Sequence, residues 1–336
     1  MEKKIYKAAV IGCGRIGVLQ EKDWDIKPAT HAFAFLKNPR TKLVAVADSN
    51  IENLNKAKKM LPKGVKFFSD AEKLLREINP DIVSVAVPRG GHCALVELLT
   101  KYKAPAIICE KPMADTIEQA KKMIADCKKS KSLLLINHQR RFDPALSEIR
   151  DEIKKGTFGK IQKARCLYVN GMCNTGSHVI DYLRFCLGDI KSVSAVKNMQ
   201  AETYDKKDYC VDASFKFKNG TDVVWQSLDR RAYCIWEAEF YGTKKAVKIR
   251  DLGQTVEIVG LRPSRRYVGF KELDHEKPEK LGNQNRSFFK AMAQHVVDCL
   301  DKKIKPASTG EDGLAALKVL AAIKKSAENK GKRVDI

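Results

Sequence analysis

A chain of 336 residues, 44% apolar and 31% charged, is long enough for about two packed domains and too apolar for intrinsic disorder. No apolar run nears the ~18–20 residues that span a bilayer, and the ten scattered cysteines show no CxxC or metal-ligand spacing, so neither a membrane nor a metal is expected and the setting is a reducing cytoplasm. The net charge of +22 reads as lysine on solvated helix faces, as in "AKKMIADCKKSKS"; no basic run is interleaved with stacking aromatics, so no nucleic-acid partner is expected.

The start, "IYKAAVIG", reads as a β-strand rather than a secretory leader, and a helix is expected from Ile16. "KLVAVAD" (42–48) is a second strand, followed by a helix over 51–61. A short strand at 65–70 leads to a helix over 71–78 that Ser69 or Asp70 can cap. Strand 80–88, helix 92–102 and strand 105–112 follow. Asp115, with Glu118 three residues on, offers a capping box for the helix over 116–129, and 133–137 is a sixth strand. Near-continuous apolar strands alternating with amphipathic helices predict a parallel, doubly wound sheet covered on both faces.

The rhythm changes after "NHQRRFDP" (137–144). A helix over 145–156 precedes longer, partly alternating strands at 160–169, 191–198, 211–220, 221–228, 236–249 and 255–260, with a hairpin turn at Asn219-Gly220. Helices near 286–301 and 309–330 close the chain. The expected organisation is a dinucleotide-binding Rossmann domain over 1–138 and an α+β domain with an open, mainly antiparallel sheet over 139–336. That sheet offers a surface for a homodimer or homotetramer.

Four features carry the chemistry. The first strand runs into "GCGRIG", in which Gly12 permits a tight turn, Gly14 lets backbone approach a pyrophosphate and Gly17 allows close packing, with Cys13, Arg15 and Ile16 between them. Asp48 closes the second strand, where a ribose-binding acid belongs. It lies 31 residues after Gly17, a distance that "QEKDWDIKPATH" (20–31) explains as an insertion after the first helical turn. Ser49 and Asn50 follow with no adjacent cation for a 2′-phosphate, so NAD is expected over NADP. Third, "AIICEKPMAD" places Glu110 and Lys111 at a strand end, beside Pro88, where ligands of doubly wound sheets bind. In "GSHVIDYLRFCLG" a helix from about Ser177 puts His178 in its first turn, where the positive dipole end favours a neutral imidazole able to take a proton, and Asp181 on the same face to orient it or bind substrate. His31, His138, His275 and His295 read as ordinary core or surface residues.

Together the GxGRIG loop, the Asp after the second strand, "VAVPRGGH", "CEKPMA" and "NTGSHVIDYLRFCLG" resemble the glucose–fructose oxidoreductase / inositol dehydrogenase (Gfo/Idh/MocA) family over nearly the whole chain. The resemblance implies NAD(P)-dependent oxidation or reduction of a hydroxyl on a sugar, cyclitol or nucleotide sugar. It implies that Lys111 contacts the reacting oxygen and the nicotinamide ribose, that His92 helps form the cofactor pocket and that His178 transfers the proton. Many members carry an aspartate four residues before this histidine; here it is Asn174, which can bind a hydroxyl but cannot act as a base. Arg140, with Arg141, Arg230, Arg231, Arg265 and Arg266, is a candidate for an anionic substrate group. The alternative is a dinucleotide-sensing regulator that has lost catalysis on the same scaffold.

Overall fold

The computed structural model describes residues 3–283 and 285–336, which divide into two compact units. In the first, strands β1 (Tyr6–Ile11), β2 (Thr41–Ala47), β3 (Lys66–Phe68), β4 (Ile82–Val85), β5 (Ala106–Cys109) and β6 (Leu133–Ile136) form one parallel sheet in the order β3-β2-β1-β4-β5-β6. This is the order of a doubly wound dinucleotide-binding sheet. Ala8, Ala9 and Val10 of central β1 are fully buried, as a strand covered on both faces requires. Helices α1 (His31–Lys37), α2 (Ile51–Met60), α3 (Ala71–Ile78), α4 (His92–Lys101) and α5 (Ile117–Ser130) connect the strands.

Local chemistry sets the helix starts. The Asn50 side chain accepts from the Glu52 and Asn53 N–H groups, and Asp70, not Ser69, accepts from Lys73 N. The expected Asp115 box is not the one that forms. Thr116 caps α5 with Gln119 reciprocating, while the Asp115 carboxylate is paired with Arg89.

The helix expected from Ile16 is split. One turn winds from Gly14, with Val18 N donating to Gly14 O, and a short 3-10 turn over Leu19–Lys22 follows. After an excursion the chain returns at Thr30, where His31 N donates to Ile16 O and Ala32 N to Gly17 O. The first turn is thus continued by α1 as though 19–30 were absent. Glu21 closes the excursion by accepting from Ala29 N (2.8 Å) and the Thr30 hydroxyl (3.1 Å).

The second unit contains α6 (Pro144–Lys154), β7 (Ile161–Tyr168), α7 (Ser177–Leu187), β8 (Ile190–Lys197), β9 (Val211–Phe217), β10 (Asp222–Ser227), β11 (Trp236–Gly242), β12 (Ala246–Arg250) and β13 (Thr255–Val259). After these come β14 (Leu261–Pro263), β15 (Lys271–Leu273) and β16 (Glu279–Leu281), with α8 (Phe288–Lys302), α9 (Gly310–Glu328) and β17 (Val334–Asp335) closing the chain. Its nine-stranded sheet runs β16-β13-β12-β11-β7-β10-β9-β8-β17, antiparallel except where β10 lies parallel to β7. Trp225, Trp236, Tyr168 and Tyr182 are fully buried on one face, with Tyr168 stacked on Trp225 at 4.3 Å.

The division differs from the expected 1–138 and 139–336. The first unit runs to Asp143 and reclaims Ser287–Leu317; the second comprises Pro144–Arg286 and Lys318–Ile336. The cause is the apolar stripe of α8: Phe289, Met292, Ala293, Val296 and Val297 are buried in one cluster with Ala32, Phe35, Val10 and Ile108.

Candidate active site

Register assembles the candidate residues of the first unit. Ala47, Ile11, Val85, Cys109 and Ile136 are successive partners in one line across the parallel sheet. The residues that follow them, Asp48, Gly12, Ala86, Glu110 and Asn137, therefore share the carboxyl edge.

The three glycines differ in what demands them. Gly12 has φ +101°, and a Cβ there would sit 2.6 Å from the Ala86 backbone; at Gly17 a Cβ would collide with the Gly12 carbonyl oxygen. At Gly14 the nearest atom to such a Cβ is Asn53 Nδ2 at 4.0 Å, so the protein itself leaves that side open. The open side lies where a dinucleotide's pyrophosphate approaches backbone, and the residues present fit that group. Cys13 is buried and its thiol is pushed up to about 12 by burial and by Asp48, so it stays protonated. Arg15 and Ser49 are exposed and Ile16 is half-buried on the same loop edge. The Asp48 carboxylate accepts from Cys13 N (2.7 Å) and Asn50 N (2.8 Å), tying the end of β2 to the glycine loop.

Glu110 is buried, and its carboxylate is engaged by the protein. His31 Nε2 lies 2.9 Å from Oε1, Asn137 Nδ2 donates to the same oxygen at 2.6 Å, and Lys111 N donates to Oε2 at 3.2 Å. Burial raises its pKa, but the hydrogen bond and charge of His31, the Lys111 ammonium and Asn137 outweigh this and hold it at about 2. Glu110 thus braces the turn that presents the half-buried Lys111. His92 is equally committed: Nδ1 lies 3.1 Å from Pro112 O and Nε2 2.9 Å from Val87 O, so the ring clamps the loop after β4, with exposed Pro88, to the one after β5. Arg140 is buried, its guanidinium 5.7 Å from the Phe288 ring centre.

In the second unit α7 begins at Ser177 and ends at Gly188, with Val179, Leu183 and Leu187 buried as expected. Its start is not a bare N-terminus. A π-turn over Gly171–Gly176 runs straight into it, beginning at the left-handed Asn170. The dipole argument for His178 therefore does not hold as stated, because the helical winding starts seven residues earlier. The free N–H groups of that earlier end are met by Asp208, whose carboxylate accepts from Cys173 N and Asn174 N as well as Tyr209 N. Burial pushes the Asp208 carboxyl up against these bonds. Gly171 (φ +86°) faces Asp208 and Gly176 faces the Trp225 ring so closely that neither tolerates a Cβ. Asn174 is exposed, His178 half-buried and Asp181 buried.

Residues 6–138 match the oxidoreductase family with an NAD-binding Rossmann fold, and residues 171–336 match the family's C-terminal alpha/beta domain. The chain belongs to the Gfo/Idh/MocA oxidoreductase family. It is an NAD(P)-dependent oxidoreductase acting on CH–OH groups. Among Gfo/Idh/MocA relatives, a D-apiose dehydrogenase of Rhizobium rhizogenes is 24% identical over 98% of this chain and 97% of its own. A myo-inositol 2-dehydrogenase of Thermotoga maritima is 26% identical over 96% and 97%. The WlbA dehydrogenase of Bordetella pertussis, solved with NADH and UDP-GlcNAcA, shares the fold with a TM-score of 0.76 at 22% identity over 99% of each chain.

Sequence reasoning missed three residues that brace the candidate residues within their own units. His31 and Asn137 brace Glu110, and Asp208 braces the π-turn. Asn137 had a readable signal, since it follows the strand beside the one that Glu110 follows. Asp208 lies in a loop whose sequence announces nothing.

Proposed function

We propose that this chain is an NAD-dependent dehydrogenase or reductase that moves a hydride between nicotinamide and a secondary hydroxyl or ketone of a sugar, cyclitol or nucleotide sugar. The observation that carries the reading is Lys111 at the carboxyl edge of a dinucleotide-binding sheet, on a turn braced by the ionised Glu110. An ammonium held there stabilises the alkoxide that develops as the substrate hydroxyl loses its proton. His178 exchanges that proton and Asn174 hydrogen-bonds a neighbouring hydroxyl. Bound NAD supplies the hydride acceptor; the protein supplies position and field. Asp48 favours NAD, because its carboxylate would repel a 2′-phosphate at the ribose.

Absorbance at 340 nm with a panel of sugars, polyols and nucleotide sugars tests the reading. Lys111→Ala and His178→Ala should each lower kcat by about a hundredfold or more while NADH affinity stays close to that of the parent. Unchanged turnover in both variants, or NADH binding without absorbance change on any substrate, refutes it; the latter result describes the regulator.

A further inference from the structure

Three of the six arginines put forward for an anionic substrate are held by carboxylates of the protein. Arg141 binds Ala307 O and Asp312, Arg231 binds Asp229 and Glu202, and Arg265 grips Glu276 through two bonds of 2.7 Å. Arg230 differs. Among the described residues no carboxylate pairs with it, its Nε is buried without a hydrogen-bond partner, and its guanidinium lies 3.7 Å over the Tyr204 ring.

Its place in the fold is specific. Strands β7 and β10 are parallel neighbours that end together, Ser227 opposite Tyr168, with Leu228 N donating to Tyr168 O at 2.8 Å. The π-turn leading to Asn174 and His178 leaves one strand, and Arg230 leaves the other. Tyr204 is tied to the start of that turn, its N–H donating to Asn170 Oδ1 at 2.9 Å. The nearby acids are engaged: Glu202 and Asp229 by Arg231, Asp208 by backbone N–H groups.

We propose that Arg230, laid on Tyr204, reads an oxyanion on the substrate, a carboxylate or a phosphate, beside the turn that carries Asn174 and His178. Stacking orients the planar guanidinium while leaving its N–H edges for a two-pronged contact, and guanidinium is less costly to desolvate than ammonium. Asn174 fits the same chemistry, since a carboxylate at that position would repel an anion. The inference rests on the dehydrogenase reading for its substrate and narrows that substrate to an acidic or phosphorylated sugar.

Calorimetric titration of the NADH-loaded protein with D-glucuronate, D-glucose 6-phosphate and D-glucose, alongside turnover of each, tests it. The parent should bind at least one anion about tenfold or more tighter than glucose, and the favoured anion distinguishes carboxylate from phosphate. Arg230→Gln should remove that preference with glucose binding unchanged, and Arg230→Lys should restore only part of it. An anion preference that survives Arg230→Gln, or parent protein that binds glucose as well as both anions or binds neither anion at about 10 mM, overturns the proposal. Arg230-dependent anion binding without any hydride transfer upholds it and sinks the dehydrogenase reading instead. Turnover of neutral sugars with no Arg230-dependent binding of either anion does the reverse.

Discussion

His31 and Glu110 are 79 residues apart in sequence and 2.9 Å apart in space, the imidazole Nε2 against a buried carboxylate oxygen. A carboxylate at the end of an apolar strand would cost several kcal/mol if left alone. Here His31, Asn137 and the Lys111 N–H meet it, which makes Glu110 the anchor of the turn that presents Lys111.

Acid should weaken the protein through this contact. With its pKa lowered from 4.5 to about 2 on folding, Glu110 contributes stability that is fully present above about pH 4.5 and lost as pH falls toward 2. The full contribution is about 3 kcal/mol. Urea midpoints at pH 7, 5 and 3 should fall steeply for the parent below pH 5. Glu110→Gln should start lower and lose less over the same range; parallel curves would remove Glu110 from the account.

The glycine loop predicts a contrast. Gly17→Ala drives a methyl onto the Gly12 carbonyl and should cost several kcal/mol or prevent folding. Gly14→Ala meets nothing of the protein, so its melting temperature should stay near the parent's while NADH affinity drops about tenfold or more. Equal NADH affinity in the parent and Gly14→Ala would contradict the cradle.

Asp208→Asn keeps the shape but turns an amide NH₂ toward N–H donors. We expect a loss of about 1–3 kcal/mol in stability and a kcat reduced about tenfold, with KM for NAD unchanged, because the disturbed turn carries Asn174 and His178. Steady-state kinetics with NAD and substrate varied separately reads this split. A change in KM for NAD alone would contradict it.

Asp48→Ala should narrow the preference for NAD over NADP. The KM for NAD should rise about tenfold, since a charged hydrogen bond to the ribose is lost, and NADP should be relieved of the repulsion. Comparing the two cofactors at one substrate concentration checks it; an unaltered ratio excludes Asp48 from cofactor choice.

Much of this was legible in the sequence because it depends on local pattern. Apolar runs broken by amphipathic stretches fixed the parallel sheet, and the spacing from Gly17 to Asp48 revealed an excursion before the structure showed how Ile16 and Gly17 bond across it. What depends on long-range pairing was not legible. His31 read as an ordinary core or surface residue until the return of the excursion set it under Glu110. The dipole argument at His178 failed because a π-turn has no sequence periodicity to betray it. The place of α8 in the first compact unit was not legible, because an amphipathic stripe says that a helix is buried, not against which sheet.

The return of α8 has a practical side. A fragment cut after residue 143 would uncover Ala32, Phe35 and the rest of the cluster that Phe289, Met292 and Val296 cover, and would lose the Phe289 ring that meets His31 edge-on at 5.1 Å. Expressed alone, such a piece should aggregate. A soluble coenzyme-binding half would need residues 287–317 grafted back through a linker, so the two halves of this gene cannot be exchanged as simple cassettes.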